Sequence, residues 1–461
     1  MKTNRFLVLF LSVLMSLSLI VPASAAEPSE APVIPAAPEI QCQAALLVDY
    51  NTGSIVYAKN EHAEMYPASL TKIMTALLVL EAVDSGKLSL SQELTASRSA
   101  MVTGLSDDGS TANIQEGEIM TVEEYMTCML VVSANEACNV LAEAVSGSIE
   151  AFVDAMNAKA QALGCENTHF VNPTGLHDPQ HYTSAWDMYL ITRAAMEHDD
   201  FMRICDTGTA RIPATNLSEA RTLHTTNYLI DTWRSLGYIN SDAHGIKTGS
   251  TDAAGHCLVS SALRGSLHFV SVVLGGDRVT LDDGEIRTYS FYDTNQLFNW
   301  AFQNFSYQTV ILESEEIQEV PVDLSKMDHV TVHPAQDAEV LLPNVLSPEH
   351  LERTMDLPEI VDAPIAAGQK LGTMTLSYDG TDYATVDLLA SFDVEASRLQ
   401  TILRSIRDFT DHLAVRIVGI LLLLLIIFLV VWKLFLGRRR YRYGRSVSRR
   451  YRSSYRGRWR R

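Results

Sequence analysis

Apolar and polar residues change rhythm several times along this chain of 461 residues. In "AALLVDYNTGSIVYAKN" (Ala44 to Asn60) they alternate on both sides of an Asn-Thr-Gly turn, the pattern of a strand hairpin. From Leu70 the interval becomes three to four. Leu70, Ile73, Met74, Leu77, Leu78 and Leu80 then share one side of an amphipathic helix over Ser69 to Val83. Further helices are predicted over Thr121 to Val132, Glu136 to Val145 and Ile149 to Leu163, the last stopped by Gly164. Alternation returns in "GHCLVSSALRGSLHFVSVVLGG" (Gly255 to Gly276), a hairpin turning at Arg264-Gly265. Strands at both ends with helices between predict an α+β domain over 41–306, its helices packed on an antiparallel sheet.

From 307 to 397 the pattern shortens to "QTVILE", "HVTVHP", "AEVLLP", "KLGTMTLSY" and "YATVDLLAS", separated by turns such as "SYDGTDY". This is the signature of a small all-β domain. Over 398–414, Leu399, Ile402, Leu403, Ile406, Phe409 and Leu413 fall on one face of a juxtamembrane helix. The run Ile417 to Trp432 is apolar all round, and Leu434 to Leu436 extend it. A span over 415–436 is long enough to cross a hydrocarbon core of about 30 Å.

The two ends fix the expected orientation. Residues 1–25 hold two cations, an apolar run from Phe6 to Val21, and Ala23-Ser24-Ala25, the layout of a cleaved secretory signal. A Pro/Ala-rich linker fills 26–40. Residues 437–461 carry twelve arginines and no acid, and basic residues prefer the cytoplasmic side. The prediction is a single-pass protein of the cell membrane with an extracytoplasmic body and a cytoplasmic tail. The tail is placed to meet anionic lipid.

Charge and cysteine usage narrow the classes. The net charge is −19, and setting aside the tail arginines with Lys2, Arg5 and Lys433 leaves −34 on the remainder. Nucleic-acid affinity comes mainly from neutralising phosphates, so a nucleic-acid partner is not expected of the body. The six cysteines form no C-x-x-C pair and are scattered through a chain large enough for a proper core. They read as buried free thiols, with a Cys128–Cys138 pairing left open.

Three polar groupings interrupt the apolar pattern. Ser69 and Lys72 stand three apart and so share a helix face. A serine hydroxyl needs a neighbouring base, and a lysine serves as one only when neutral. The helix dipole, burial and a second cation all lower its pKa. Backbone N–H groups of a first turn also suit an oxyanion. Ser133-Ala134-Asn135 lies between two helical segments and reads either as a helix cap or as a hydroxyl for proton relay with an amide for a peptide. Lys247-Thr248-Gly249 leads into strands, with a cation and hydroxyl suited to a carboxylate and a glycine permitting close backbone approach.

In that order the groupings match the S-x-x-K, S-x-N and K-T-G set of penicillin-binding proteins and class A β-lactamases. With "YPASLTKIMTALL", "SANEACNVLAE", "FVNPTGLHDPQHYTSAWDMYLI", "GIKTGSTDAAGHCLVSSA" and "IAAGQKLGTMTLSYDG", the chain resembles the low-molecular-weight penicillin-binding proteins that are serine-type D-alanyl-D-alanine carboxypeptidases, over roughly residues 41–395. The resemblance implies a penicillin-binding/β-lactamase-like catalytic domain followed by a small all-β domain. It implies peptidoglycan stem peptides ending in D-Ala-D-Ala as substrate, β-lactams as covalent inhibitors, and no cofactor. It implies Ser69 as nucleophile, Lys72 as general base and Ser133 as proton relay. Asn135, Lys247, Thr248, Gly249 and Ser250 would bind substrate, and the N–H groups of Ser69 and Ser250 would form the oxyanion hole.

Endopeptidase or β-lactamase activity on the same fold stays open, as does a catalytically silent wall-to-membrane scaffold. The E-x-x-L-N pattern of class A deacylation is absent between Asn135 and Lys247. Ala134 departs from the more usual Gly or Asp, and the full span with an arginine-rich tail departs from an amphipathic anchor. His177 and His181 stand four apart, but Pro179 makes the stretch a loop, and no metal site is expected. "SDDGST" (Ser106 to Thr111) lacks calcium-loop spacing and reads as a solvated turn.

Overall fold

The protein is described by a computed structural model covering residues 32–106, 109–234 and 237–436. The predicted leader, the start of the linker and the arginine-rich tail lie outside the described residues.

Contacts divide the chain into two units. The first takes in the chain to Ile311 together with Ala338–Glu352 and Leu376–Ala384. Its centre is a five-stranded sheet built from β1 (Ala44–Asp49), β2 (Ile55–Lys59), β3 (Ala243–Thr251), β4 (Gly255–Arg264) and β5 (Leu267–Gly276). The spatial order is β2-β1-β5-β4-β3, with antiparallel pairing throughout. Both predicted hairpins are present.

Strand β1 explains how the sheet is held. Successive side chains point to opposite faces, and all six of its residues are buried. Leu46 and Val48 enter a core shared with the helices, whereas Ala45 and Leu47 enter a second core under the helix Tyr289–Asn304. The sheet is therefore covered on both faces. Removing one such leucine side chain costs about 2–5 kcal/mol.

The helical layer includes α1 (Lys72–Asp84), α2 (Val122–Val131), α3 (Asn135–Ser146), α4 (Ile149–Ala162) and α5 (Ala185–Met196). Local chemistry fixes their starts. Thr121 and Glu124 close a capping box at α2, and the Ser148 and Ser184 hydroxyls accept from the N–H groups of Ala151 and Asp187. Helix α1 departs from expectation in two ways. It is buried on nearly every side, Lys72 included, rather than along one stripe. Ser69 precedes it, in a 3-10 turn over Ala68–Thr71.

The second unit carries most of a six-stranded sheet whose members include the predicted "HVTVHP" and "KLGTMTLSY" strands, plus Gln318–Asp323 and Glu352–Asp356, which were not anticipated. It continues into the helix Arg398–Asp411, where Arg404 pairs with Asp323 and Asp362. Its predicted apolar face, Leu399 to Phe409, is exposed. The helix Leu413–Leu436 follows, and Leu413–Phe435 is long and apolar enough to cross a membrane, with its side chains exposed.

Candidate active site

The edge strand β3 lies against the turn that carries Ser69, and the contact is backbone to backbone. A Cβ at Gly249 would stand 2.8 Å from Pro67 O and 3.0 Å from Ser69 N. Gly175 presses on the same turn from another side, where a Cβ would fall 1.8 Å from Ala68 O. Between these glycines Ala68 takes a φ of +48°, a left-handed conformation uncommon for a residue with a side chain.

Lys72 opens α1 directly behind this turn and is wholly buried. Its Nζ is 2.9 Å from Ser69 Oγ, 2.8 Å from Asn135 Oδ1 and 2.6 Å from Thr174 O. Burial pushes its pKa below lysine's ordinary value, with Cys138 and Glu136 opposing. Of the three causes expected from the sequence, the helix dipole, burial and a second cation, burial is the main one.

Asn135 is the first residue of α3 and is buried, with its amide directed at Lys72. Ser133 precedes it at a φ of +65°, and its buried Oγ has no hydrogen-bond partner among the described residues. On β3, Lys247 is buried and donates to Thr248 O at 3.0 Å. Burial first and Lys72 second push its pKa down to about 7. Thr248 shares a 2.5 Å hydroxyl contact with Thr226.

These elements enclose a cleft of about 260 Å³. Ser69, Ser133, Thr248, Gly249 and Ser250 line it, and Lys72 and Asn135 stand behind through the bonds above. Ser110, Thr226, Tyr228 and Arg278 also line it, and sequence reasoning singled out none of them for the site. Ser110 belongs to the stretch read as a solvated turn. It reaches the cleft because Asn135 N donates to Ser110 O at 2.9 Å, while one Glu136 oxygen accepts from Thr111 Oγ1, Ala112 N and Ile114 N. Asp107 and Asp108 lie outside the described residues.

The histidine pair divides. His177 stands edge-on to Tyr66, while His181 contacts Thr71. No group of three potential metal ligands occurs among the described residues. All six thiols are free, and burial pushes Cys128 up to about 12 and Cys138 to about 11.

The fold and the site define a serine-type hydrolase, with a hydroxyl on the turn against an edge strand and a buried amine at the start of the helix that follows. The chain belongs to the D-alanyl-D-alanine carboxypeptidase family (Peptidase S11), whose profile matches residues 31–278. Residues 305–396 match the penicillin-binding protein 5 C-terminal domain. The chain is 30% identical over 371 residues to the D-alanyl-D-alanine carboxypeptidase DacF of Bacillus subtilis (strain 168), covering 80% of this chain and 90% of that protein. It is 32% identical over 258 residues to a D-alanyl-D-alanine endopeptidase of Pseudomonas aeruginosa, covering 56% of this chain and 77% of that one. Penicillin-binding protein 5 from Haemophilus influenzae superposes with a TM-score of 0.62 at 29% identity, covering 79% of this chain and 99% of that chain.

Proposed function

We propose that this carboxypeptidase removes the terminal D-alanine of peptidoglycan stem peptides through an acyl-enzyme on Ser69. The observation that carries the reading is the 2.9 Å approach of a wholly buried Lys72 amine to the Ser69 hydroxyl. Its partners suit the uncharged form, which has two N–H groups and one lone pair. Two N–H groups of a neutral amine suffice for Asn135 Oδ1 and Thr174 O, which leaves its lone pair for the Ser69 proton 2.9 Å away.

Ser69 Oγ attacks the carbonyl carbon of the penultimate D-alanine as its proton passes to Lys72. The N–H groups of Ser69 and Ser250 take the developing oxyanion, a role the close Gly249 backbone favours. The C–N bond then breaks, and the leaving amine receives the proton through Ser133, whose buried hydroxyl has no other partner among the described residues. Water hydrolyses the ester, with Lys72 again as base. Thr248 and the positive charge of Arg278 line the cleft and suit the terminal carboxylate. Lys247 is buried beside Thr248 and adds charge when protonated, and Asn135 helps hold the peptide. A β-lactam amide undergoes the same attack, but its leaving nitrogen stays tethered, so the ester persists.

The helix Leu413–Leu436 anchors the enzyme, since 24 residues at 1.5 Å each exceed a core of about 30 Å. With the arginine-rich segment on the cytoplasmic side, the cleft faces the wall, and one pass suffices. The test is incubation of the full-length chain with a peptide ending in D-Ala-D-Ala. Free D-alanine is assayed and a penicillin adduct mapped by mass spectrometry. Released D-alanine with the adduct on Ser69 is the expected result; neither, or an adduct elsewhere, overturns the reading.

A further inference from the structure

The loop through His181 is built around the nucleophile turn, and none of its side chains has a role in the chemistry above. We propose that His181 is a positioning residue: acting through Thr71, and as the neutral tautomer with its proton on Nε2, it holds the backbone that aims Ser69 at Lys72. The inference rests on Ser69 being the nucleophile.

The hydrogen bonds run in one direction only. Val171 N donates to His181 Nδ1 at 3.3 Å, so Nδ1 carries a lone pair and the proton sits on Nε2. Nε2 is 2.8 Å from Thr71 Oγ1, which lies 2.8 Å from Ala68 O. A carbonyl only accepts. The threonine hydroxyl therefore donates to Ala68 and accepts from the ring. Each of these groups is satisfied; Ala68, Thr71 and His181 are buried, and Val171 is half-buried.

The end of this chain is a strained point of the site. Ala68, at φ +48°, directly precedes Ser69, and a left-handed conformation is unfavourable for a residue with a side chain. Such a conformation persists only when its surroundings over-determine it. Here the Thr71 hydroxyl holds the Ala68 carbonyl, and Gly175 packs against both with no room for a Cβ. The same loop also grips α1, through Lys72 to Thr174 O and Thr75 Oγ1 to Pro173 O at 2.8 Å. Base and nucleophile are thus registered against one loop.

The charge state agrees. Burial pushes His181 down to about 4; His169, His177 and Lys72 act in the same direction and only Asp178 opposes. Phe170 closes the ring's surroundings edge-on at 5.5 Å. A protonated ring would present a second N–H to the Val171 N–H and break the chain.

The test uses the full-length protein in detergent, comparing wild type with Thr71→Val, Thr71→Ser and His181→Gln. Acylation by penicillin, D-alanine release, thermal midpoint and the histidine ¹⁵N shifts are measured. Thr71→Val is expected to lower kcat and acylation on the order of tenfold to a hundredfold, the scale for small misplacement of reacting groups, with KM little changed. Thr71→Ser keeps the hydroxyl and restores most of the rate. The His181 signal, assigned by its loss in His181→Gln, is expected to show a proton on Nε2 at pH 7. Wild-type acylation in Thr71→Val, or an Nδ1-protonated or charged ring at pH 7, overturns the proposal. If the variants do not fold, the wild-type tautomer decides. A wild type that penicillin does not acylate overturns the Ser69 assignment, and the tautomer still judges the His181–Thr71 link.

Discussion

Gly249 and Ser69 touch through their backbones: a methyl group on Gly249 would sit 3.0 Å from the Ser69 nitrogen. That nitrogen is a proposed oxyanion donor, so the space between strand and turn is part of the chemistry. Gly249→Ala is expected to cost about 1–3 kcal/mol through overpacking. Acylation should fall further than stability accounts for, by about a hundredfold for a displacement near 1 Å. Stopped-flow acylation read against urea unfolding separates the two. Loss in proportion to the folded fraction alone would show that the close approach serves packing only.

Lys72 is the proposed base. Its amine is buried beside Ser69, and burial disfavours its charge. Lys72→Met keeps the length and removes the polar head. Acylation and D-alanine release should fall by about 10²–10⁴-fold, the range for a general base. That is far more than the folded fraction should fall, since the lost bonds to Asn135 and Thr174 O cost about 1–3 kcal/mol, less the relief of a buried amine. A variant that still acylates at a rate near wild type would assign the proton to another group.

The pH profile should follow Lys247. Its pKa is pushed down to about 7 in the free enzyme, so its charge is lost as pH rises through that value. Binding a carboxylate favours the charged form and moves the pKa back up. kcat/KM should therefore decline above about pH 7 through a rising KM, with kcat flatter over the same range. Lys247→Arg stays charged throughout and should abolish the decline. A KM independent of pH between 6 and 9 would remove Lys247 from carboxylate recognition.

How far the sequence reaches can be judged from particular residues. Ser69 and Lys72 were legible because residues three apart share a face in an α-helix and in a 3-10 turn alike. The choice of the tighter turn was not, because Gly175 and Gly249, far away in the chain, squeeze Ala68. The low pKa of Lys72 was expected; its main cause, burial on every side, depends on packing no local pattern reveals. Ser110 is exposed, as a solvated turn requires, but its place at the cleft was not legible because it follows from non-local bonds to Asn135 and Glu136. Thr226 and Tyr228 belong to no motif and meet the cleft only through the folded chain. The strand Gln318–Asp323 was missed because Pro321 and surrounding acids weaken its alternation.

The apolar helix offers a simple separation. A chain ending at Asp411 lacks Leu413–Leu436 but retains the whole first unit. Carbonate-washed membranes should retain the full-length enzyme and release the shortened one, with penicillin acylation unchanged. Retention of the shortened enzyme would shift anchoring to the exposed apolar face of Arg398–Asp411.

His181 predicts how stability responds to acid. Its pKa is pushed down from 6.5 to about 4 in the folded chain, so the unfolded chain binds its proton first. Between those values the unfolded state holds more protons, and stability falls as pH drops. Above 6.5 both states are neutral at this ring and the contribution is level; below about 4 both are charged and the loss is complete. The shift corresponds to about 3 kcal/mol, since each pKa unit is worth about 1.4 kcal/mol. Other buried groups titrate over the same range, so the informative quantity is a difference. Urea unfolding of wild type and His181→Gln at pH 7 and pH 4.5 should show the wild type losing more stability on acidification. The variant begins weaker at pH 7, having given up the bond to Thr71, and the gap should narrow or reverse at the lower pH. A gap that stays constant would mean that the ring does not remain neutral in the folded protein.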